Sequence, residues 1–515
     1  MLLALGAGGA QAASMAWPFA SFSFLISLQH GEPVWYLQVL ALSVLAWLLL
    51  GSTHWRRSAL LGWLFGTAWL AGTVGWTFIA MHTYGGLPAL LAALAVLLLS
   101  GLMALFYAAA GGLFTRLAAS GRVWRALLFA ALWLLAELAR GTWLTGFGWG
   151  ASGYAHVDGP LAGFAPWLGV YGLCAMAAGL SMTLAQLGCA APDDTRRQRV
   201  GVLLALAALL ALPMWLQREP AAASSAPLSV TLLQGNIAQD EKFETASGVP
   251  QALRWYAEQL QASRSALVIA PETAIPLLPQ QLPPGYWDAL QQRFANGTQA
   301  ALIGIPLGSY AQGYTNSVLG LQAGQTQAWR YDKQHLVPFG EFIPPLFKWF
   351  TALMNIPLGD FNRGAPRQPP FAWQGQRLAT NICYEDLFGE ELAPGFLDPA
   401  QAPTIFVNIS NLAWFGNSLA MDQHLQIARM RALEFDRPFL LATNTGTTAI
   451  VDHRARVSHA LARDTRGVLV GEVEGRSGIT PYAWWVARLG LWPYWLLALG
   501  LLGLAQRLKP RKISA

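Results

Sequence analysis

Charge is what this sequence is short of. Asp, Glu, Lys and Arg make up 12% of its 515 residues, about half the share usual in soluble globular proteins. That scarcity excludes a wholly soluble globule of this length. The shortage is also uneven, because 41 of the 60 charged side chains lie between Arg218 and Thr480. Cysteine is scarcer still. Of the three, Cys174, Cys189 and Cys383, only Cys383 falls in the charged middle, so no disulfide can form within that part. Carboxylates are nearly missing from the apolar stretches. Glu137, near the end of one of them, is almost alone, which argues against a transporter, since transport paths carry ionisable groups within their spans. Glu137 and Arg140 lie one helical turn apart and can simply pair. The net charge is +6, but the basic residues sit in short clusters between apolar segments. They read as topology signals, and nucleic acid is not an expected partner.

What the sequence has in quantity is apolar length. A spanning helix needs about 20 mostly apolar residues. Candidates are 1–28, 34–50, 58–80, 87–113, 124–139, 161–187 and 199–216, with an eighth at 490–506. The expected layout is therefore a polytopic α-helical membrane domain at 1–217 with about seven spans, a globular domain at 228–480, and a C-terminal transmembrane helix at 490–506. Arg56 and Arg57 follow the second span, and Arg116, Arg122 and Arg125 the fourth. Arg196, Arg197 and Arg199 follow the sixth, and Arg507, Lys509, Arg511 and Lys512 the eighth. The intervening short connections hold only Arg140. By the positive-inside rule both termini are cytoplasmic and the globular domain faces the other side, the periplasm in a bacterium. The run Ala10-Gln-Ala-Ala-Ser14 resembles a signal-peptidase site, but no Lys or Arg precedes it, and a retained span is the preferred reading.

In the middle domain, apolar runs of strand length occur at 228–234, 266–270, 300–305, 378–382, 404–409, 438–443 and 447–451. Helical patterns at 250–262 and 420–435 fall between them. Alternation of this kind predicts a layered α/β domain, with chemistry at strand ends. Three unusual residues lie there or just beyond. Cys383 ends Leu378-Ala-Thr-Asn-Ile-Cys383, Glu272 ends Leu267-Val-Ile-Ala-Pro-Glu272, and Lys333 lies in Tyr331-Asp-Lys333. Singly, each has an ordinary explanation: a buried small hydrophobe, a solvated carboxylate, a surface charge. Jointly they make a device. A thiol of pKa about 8.5 becomes a good nucleophile beside a base or a cation. Glu272 can take the proton, and Lys333 can favour the thiolate and hold an oxyanion. The polar, acidic loop Tyr384-Glu385-Asp386 directly after the strand suggests that the thiol is reachable.

Pro271-Glu272, Tyr331-Asp-Lys-Gln-His-Leu-Val-Pro-Phe-Gly-Glu-Phe-Ile-Pro344 and Asn381-Ile-Cys-Tyr-Glu-Asp386 resemble the three catalytic blocks of the nitrilase, or carbon-nitrogen hydrolase, superfamily, in its order. The lysine block, Ser410-Asn-Leu-Ala-Trp-Phe-Gly416 and the flanking spans resemble the membrane-embedded apolipoprotein N-acyltransferase family. His82-Thr-Tyr-Gly-Gly-Leu-Pro88 and Leu144-Thr-Gly-Phe-Gly-Trp149 are similar to loops of that family. The resemblance implies an αββα sandwich with Glu272 as general base, Lys333 as oxyanion stabiliser and Cys383 as nucleophile, supported by Glu341, Tyr384 and Glu385. It also implies ping-pong transfer of a fatty acyl chain from a phospholipid, phosphatidylethanolamine being the expected donor. The acceptor would be the amino group of diacylglyceryl-cysteine in an apolipoprotein. No metal or organic cofactor is implied. Two departures stand out: Leu412 where the family often has Asp, and Phe243 where it often has Trp, which removes an indole N–H donor. The apolar segment 344–354 suggests a lipid-entry lid, with Trp414 and Phe415 lining the same mouth. The rival readings are a membrane-anchored amidase, in which water resolves the acyl-enzyme, and a transporter or scaffold with an inactive domain.

Overall fold

The structure is a computed structural model that describes residues 1–20, 28–118, 121–188, 196–215, 223, 226–295, 297–325, 327–343 and 361–508. The chain divides into two compact units. One comprises Met1–Thr77, Leu90–Glu219 and Leu489–Ala515, and the other Phe78–Ala89 and Pro220–Arg488.

The first unit is helical, and each of the eight apolar stretches holds a helix. Among the described residues, three helices are long and apolar enough to cross a membrane: Ala89–Leu117, Arg122–Thr145 and Pro160–Gly188. Two bent pairs, Trp55–Thr73 with Thr77–Tyr84 and Pro481–Leu489 with Trp492–Arg507, would raise the number to five. Helix length alone therefore does not reach the expected eight. Leu2–Met15, for example, has 14 residues. At 1.5 Å per residue it covers about 21 Å of a hydrocarbon core about 30 Å thick. The helices approach closely where residues are small. A Cβ on Gly62 would lie 2.3 Å from the Tyr107 carbonyl oxygen of the neighbouring helix. Trp69 stacks on Trp133 nearby, with centroids 5.7 Å apart. The suspected pair is present too, with Arg140 Nη2 2.7 Å from Glu137 Oε2, both buried.

In the second unit twelve strands are described: β1 (Leu228–Gln234), β2 (Leu267–Ala270), β3 (Ala300–Ser309), β4 (Gly313–Leu321), β5 (Trp329–Asp332), β6 (Phe371–Trp373), β7 (Gln376–Ile382), β8 (Ile405–Ser410), β9 (Phe439–Thr443), β10 (Ala449–Val451), β11 (Val457–Ala460) and β12 (Gly467–Val473). They form two six-stranded sheets, in the orders β12-β1-β2-β3-β4-β5 and β11-β10-β9-β8-β7-β6. Each sheet has a parallel centre, β1-β2-β3 or β7-β8-β9, and antiparallel flanks. The period-2 alternation of a strand builds the layers. Leu267 and Ile269 of β2 face the second sheet's Ile382, Ile405 and Val407, whereas Val268 and Ala270 face the helices Gly248–Ala262 and Tyr286–Ala295. On the far side Phe406 of β8 packs against Phe435 of helix Ala420–Phe435. Helices thus cover both outer faces of a two-sheet sandwich. All seven expected strands are found. The five unforeseen ones are short or weakly patterned; β11, for instance, is exposed along its whole length.

Candidate active site

Parallel strands end on one side of a sheet, and the residues just beyond those ends meet. At the end of β7 the chain turns at Cys383, whose φ of 53° lies in the left-handed region, a conformation costing roughly 1–3 kcal/mol for a residue other than glycine. Specific bonds hold it. Asn408 Nδ2 donates to the Cys383 carbonyl at 2.9 Å, and Ile382 N donates to Glu385 Oε2 at 2.7 Å. His424 bonds the same carbonyl, and its Nε2 lies 3.1 Å from Asp386 Oδ2. The thiol residue itself is only partly buried, whereas the acidic run after it turns inward. Tyr384, Glu385 and Asp386 are all buried, turned inward to brace the turn.

Glu272, two residues beyond β2, is also buried. Asn316 Nδ2 donates to its Oε1 at 2.6 Å and Asn411 N to its Oε2 at 2.8 Å. Gly304 on β3 permits this position, because a Cβ there would sit 2.2 Å from the Pro271 carbonyl oxygen. Lys333 follows β5, with its N–H bonded to Asn316 O at 2.8 Å. Its Nζ lies 2.9 Å from both Glu341 oxygens and 3.6 Å from Glu272 Oε1. Glu341 is fixed in turn by Asn316 Nδ2 at 2.8 Å and Val337 N at 2.8 Å.

Burial pulls the Lys333 ammonium down, but Glu341, Glu272 and Cys383 outweigh it and its pKa is raised. It is a permanent cation. Burial pushes the Cys383 thiol up, Glu272 pushes the same way, and Lys333 opposes both. The Cys383 thiol is therefore held neutral and feels the charge of both Glu272 and Lys333.

The other expected residues divide. Glu385 accepts four hydrogen bonds, from Ile382 N, Gln334 N, His335 N and Tyr331 Oη, at 2.6–3.0 Å. It ties the cysteine turn to the lysine loop, and burial raises its pKa to about 7 against those donors. The Tyr384 ring packs on His335 and Phe388. Trp414 is half-buried, with Tyr84 edge-on at 5.8 Å. Phe243 is 43% exposed. Leu412 is fully buried and meets Gly446, an apolar packing position. The segment 344–354 lies outside the described residues. Four residues escaped the sequence reading: Asn316, Asn411, Lys242 and His424. Asn411 lies inside the quoted Ser410–Gly416 motif, and Lys242 beside Phe243. Nothing in the sequence distinguished Asn316 or His424, whose partners are distant in the chain.

The sandwich and its strand-end cluster define a carbon-nitrogen hydrolase fold, and the sequence model of that family, Carbon-nitrogen hydrolase, matches residues 229–481. The model of the apolipoprotein N-acyltransferase N-terminal domain matches residues 13–183. Full-length relatives agree. The chain is 58% identical to an apolipoprotein N-acyltransferase of Verminephrobacter eiseniae, covering 95% of this chain and 92% of that protein. It is 45% identical to that of Ralstonia nicotianae (87% and 85% covered) and 43% to that of Bordetella bronchiseptica (88% and 89%). The chain belongs to the apolipoprotein N-acyltransferase family.

Proposed function

We propose that this protein transfers a fatty acyl chain from a membrane phospholipid to the amino group of the diacylglyceryl-cysteine that begins an apolipoprotein, through a thioester on Cys383. The observation that carries the reading is the Lys333 ammonium, fixed by Glu341, 3.6 Å from Glu272 and felt by the Cys383 thiol. In the first half-reaction Cys383 Sγ attacks the ester carbonyl while Glu272 takes the thiol proton. Lys333 stabilises the oxyanion, where a single donor is typically worth about 10²–10³ in rate. The ester C–O bond breaks, the lysophospholipid alkoxide takes the proton from Glu272, and the thioester remains. In the second half the amine attacks, the C–S bond breaks, and the amine's proton returns through Glu272 to the thiolate. Glu341 fixes Lys333, Glu385 braces the turn, Tyr384 packs beneath it, and Trp414 and Phe243 flank the entry of the acyl chain. No metal or organic cofactor takes part.

The proposed setting is a bacterial inner membrane. Residues 1–217 and 490–506 supply about eight spans, residues 228–480 stand in the periplasm, and both termini are cytoplasmic. The alternating arginine clusters support this orientation. Phosphatidylethanolamine is the proposed donor. Family membership favours transfer over the amidase alternative, which would use the same three residues with water as acceptor.

Intact-mass spectrometry after incubation with phosphatidylethanolamine tests the reading. The expected result is a hydroxylamine-labile acyl adduct, absent in Cys383→Ala and discharged by a diacylglyceryl-cysteine peptide. An adduct lost equally fast without the peptide would make the protein a hydrolase, and no adduct in the unaltered protein would overturn the mechanism.

A further inference from the structure

We propose that Lys242 is a positioning residue of this site: its buried ammonium clamps the backbone that carries Glu272 and supplies the second positive charge that ionisation of Cys383 requires. The inference rests on the function proposed above.

Lysine seldom goes fully inside a protein unless it is paired with a carboxylate. Lys242 is 2% exposed, and its Nζ donates to a backbone carbonyl, that of Glu272, at 3.0 Å. Among the described residues this is the one hydrogen bond of an ammonium that has three hydrogens to give. The turn around it is inverted relative to ordinary surface chemistry, since Asp240, Glu241 and Glu244 on the same turn face water while the lysine points inward. From the other elements, the titratable groups it feels are Glu272, beyond β2, and Cys383, beyond β7. A purely structural strut would be better served by a neutral donor, which avoids desolvating a charge.

Counting charge explains the choice. Lys333 balances only one of the two carboxylates it touches, Glu272 and Glu341. That leaves a net negative site in which to create a thiolate. With Lys242 protonated, the group of Lys242, Lys333, Glu272 and Glu341 is neutral at rest, and the thiolate forms in a site that stays neutral instead of one that carries a net negative charge. The same hydrogen bond fixes the carbonyl of the base itself, so charge and placement act through one contact. Burial holds Lys242 down to about 8, with Glu272 and Cys383 resisting, so the second charge is lost in mildly alkaline solution.

The test uses the full-length protein in phosphatidylethanolamine vesicles, with Lys242→Met and Lys242→Arg. Single-turnover formation of the Cys383 adduct and alkylation of Cys383 by iodoacetamide are each followed from pH 6 to 10, and thermal melting separates any loss of folding. Lys242→Met is expected to slow adduct formation by roughly 100-fold, the scale of one preorganised electrostatic contact, at an unchanged half-saturating lipid concentration, and to slow alkylation at neutral pH. The unaltered protein is expected to lose adduct formation above a pH of about 8. Lys242→Arg, whose guanidinium stays charged, is expected to keep forming adduct into more alkaline solution. If Lys242→Met does not fold, the alkaline shift in Lys242→Arg carries the test alone. A folded Lys242→Met with the rate and pH profile of the unaltered protein would overturn the proposal, as would an unmoved alkaline limb in Lys242→Arg. If the unaltered protein forms no adduct while Lys242→Met still slows alkylation, the charge role stands and the phospholipid reading falls.

Discussion

Two clusters of buried charge, one in each unit, solve the same electrostatic problem in opposite ways. In the helical unit Arg140 and Glu137 form a closed set. The guanidinium donates to Glu137, to the Tyr107 hydroxyl and to the carbonyls of Phe147 and Trp149. Glu137 Oε1 accepts from the N–H and hydroxyl of Ser152. One charge of each sign is present, and each carries several hydrogen bonds. In the α/β unit Glu272 and Glu341 share Lys333 beside a neutral thiol, and among the described residues Lys242 gives one hydrogen bond, to the Glu272 carbonyl. The first arrangement fixes shape, here the loop from Phe147 to Ser152 against its helix. The second, in the function proposed here, keeps charge in reserve for a reaction. Burial of ionised groups is therefore no mark of catalysis by itself.

That contrast can be broken from either side. The largest effect on rate is expected from Lys333→Met, which removes the proposed oxyanion donor and leaves two carboxylates facing Cys383. Adduct formation by the molecules that remain folded should fall by at least about 10²–10³, as read by single-turnover mass spectrometry. A fall of only a few-fold would mean that Lys333 is structural, like Arg140. Arg140→Met should behave conversely. Removing one partner of a buried pair typically costs about 3–5 kcal/mol, so melting temperature and folded yield should drop sharply. The molecules that remain folded should acylate at nearly the normal rate, and a selective loss of rate would show that the helical cluster is more than a brace.

Glu385→Gln gives the smallest and most diagnostic effect. Its pKa is raised from 4.5 to about 7 in the folded protein, so between those values the folded state holds a proton that the unfolded state has released. The associated stability is fully present below about 4.5 and is lost as pH rises through about 7. Glu385→Gln should flatten that decline in a series of thermal melts. An unchanged slope would assign it to another group.

Much of this was legible in the sequence because it depends on local pattern. Runs such as Leu267–Ala270 and Ile405–Ser410 became strands, since β-branched and apolar residues bounded by turn residues have few other solutions. Glu272 and Cys383 stood out at the ends of strand-like runs, and together with Lys333 they stood out further because a family motif surrounds each. Where a motif was absent, pattern failed. β4 and β12 carry glycine and polar residues within them and were not among the expected strands. Tyr384-Glu385-Asp386 read as a polar loop, and nothing in its order shows that all three side chains are buried. Apolar composition likewise does not reveal where a helix bends, as between Trp55–Thr73 and Thr77–Tyr84.

The sequence by itself determined which segments are apolar, which alternate, and which residue types stand at the strand ends, because those properties follow from side-chain chemistry and spacing along the chain. Only the tertiary structure decided that Glu385 faces inward to four donors, that His424 reaches the Cys383 carbonyl, and that Lys242 turns its ammonium to the backbone of Glu272. Those contacts join residues tens of positions apart. Their energy exists only once both sheets have closed and water has been excluded, and the linear order of the chain carries no trace of it.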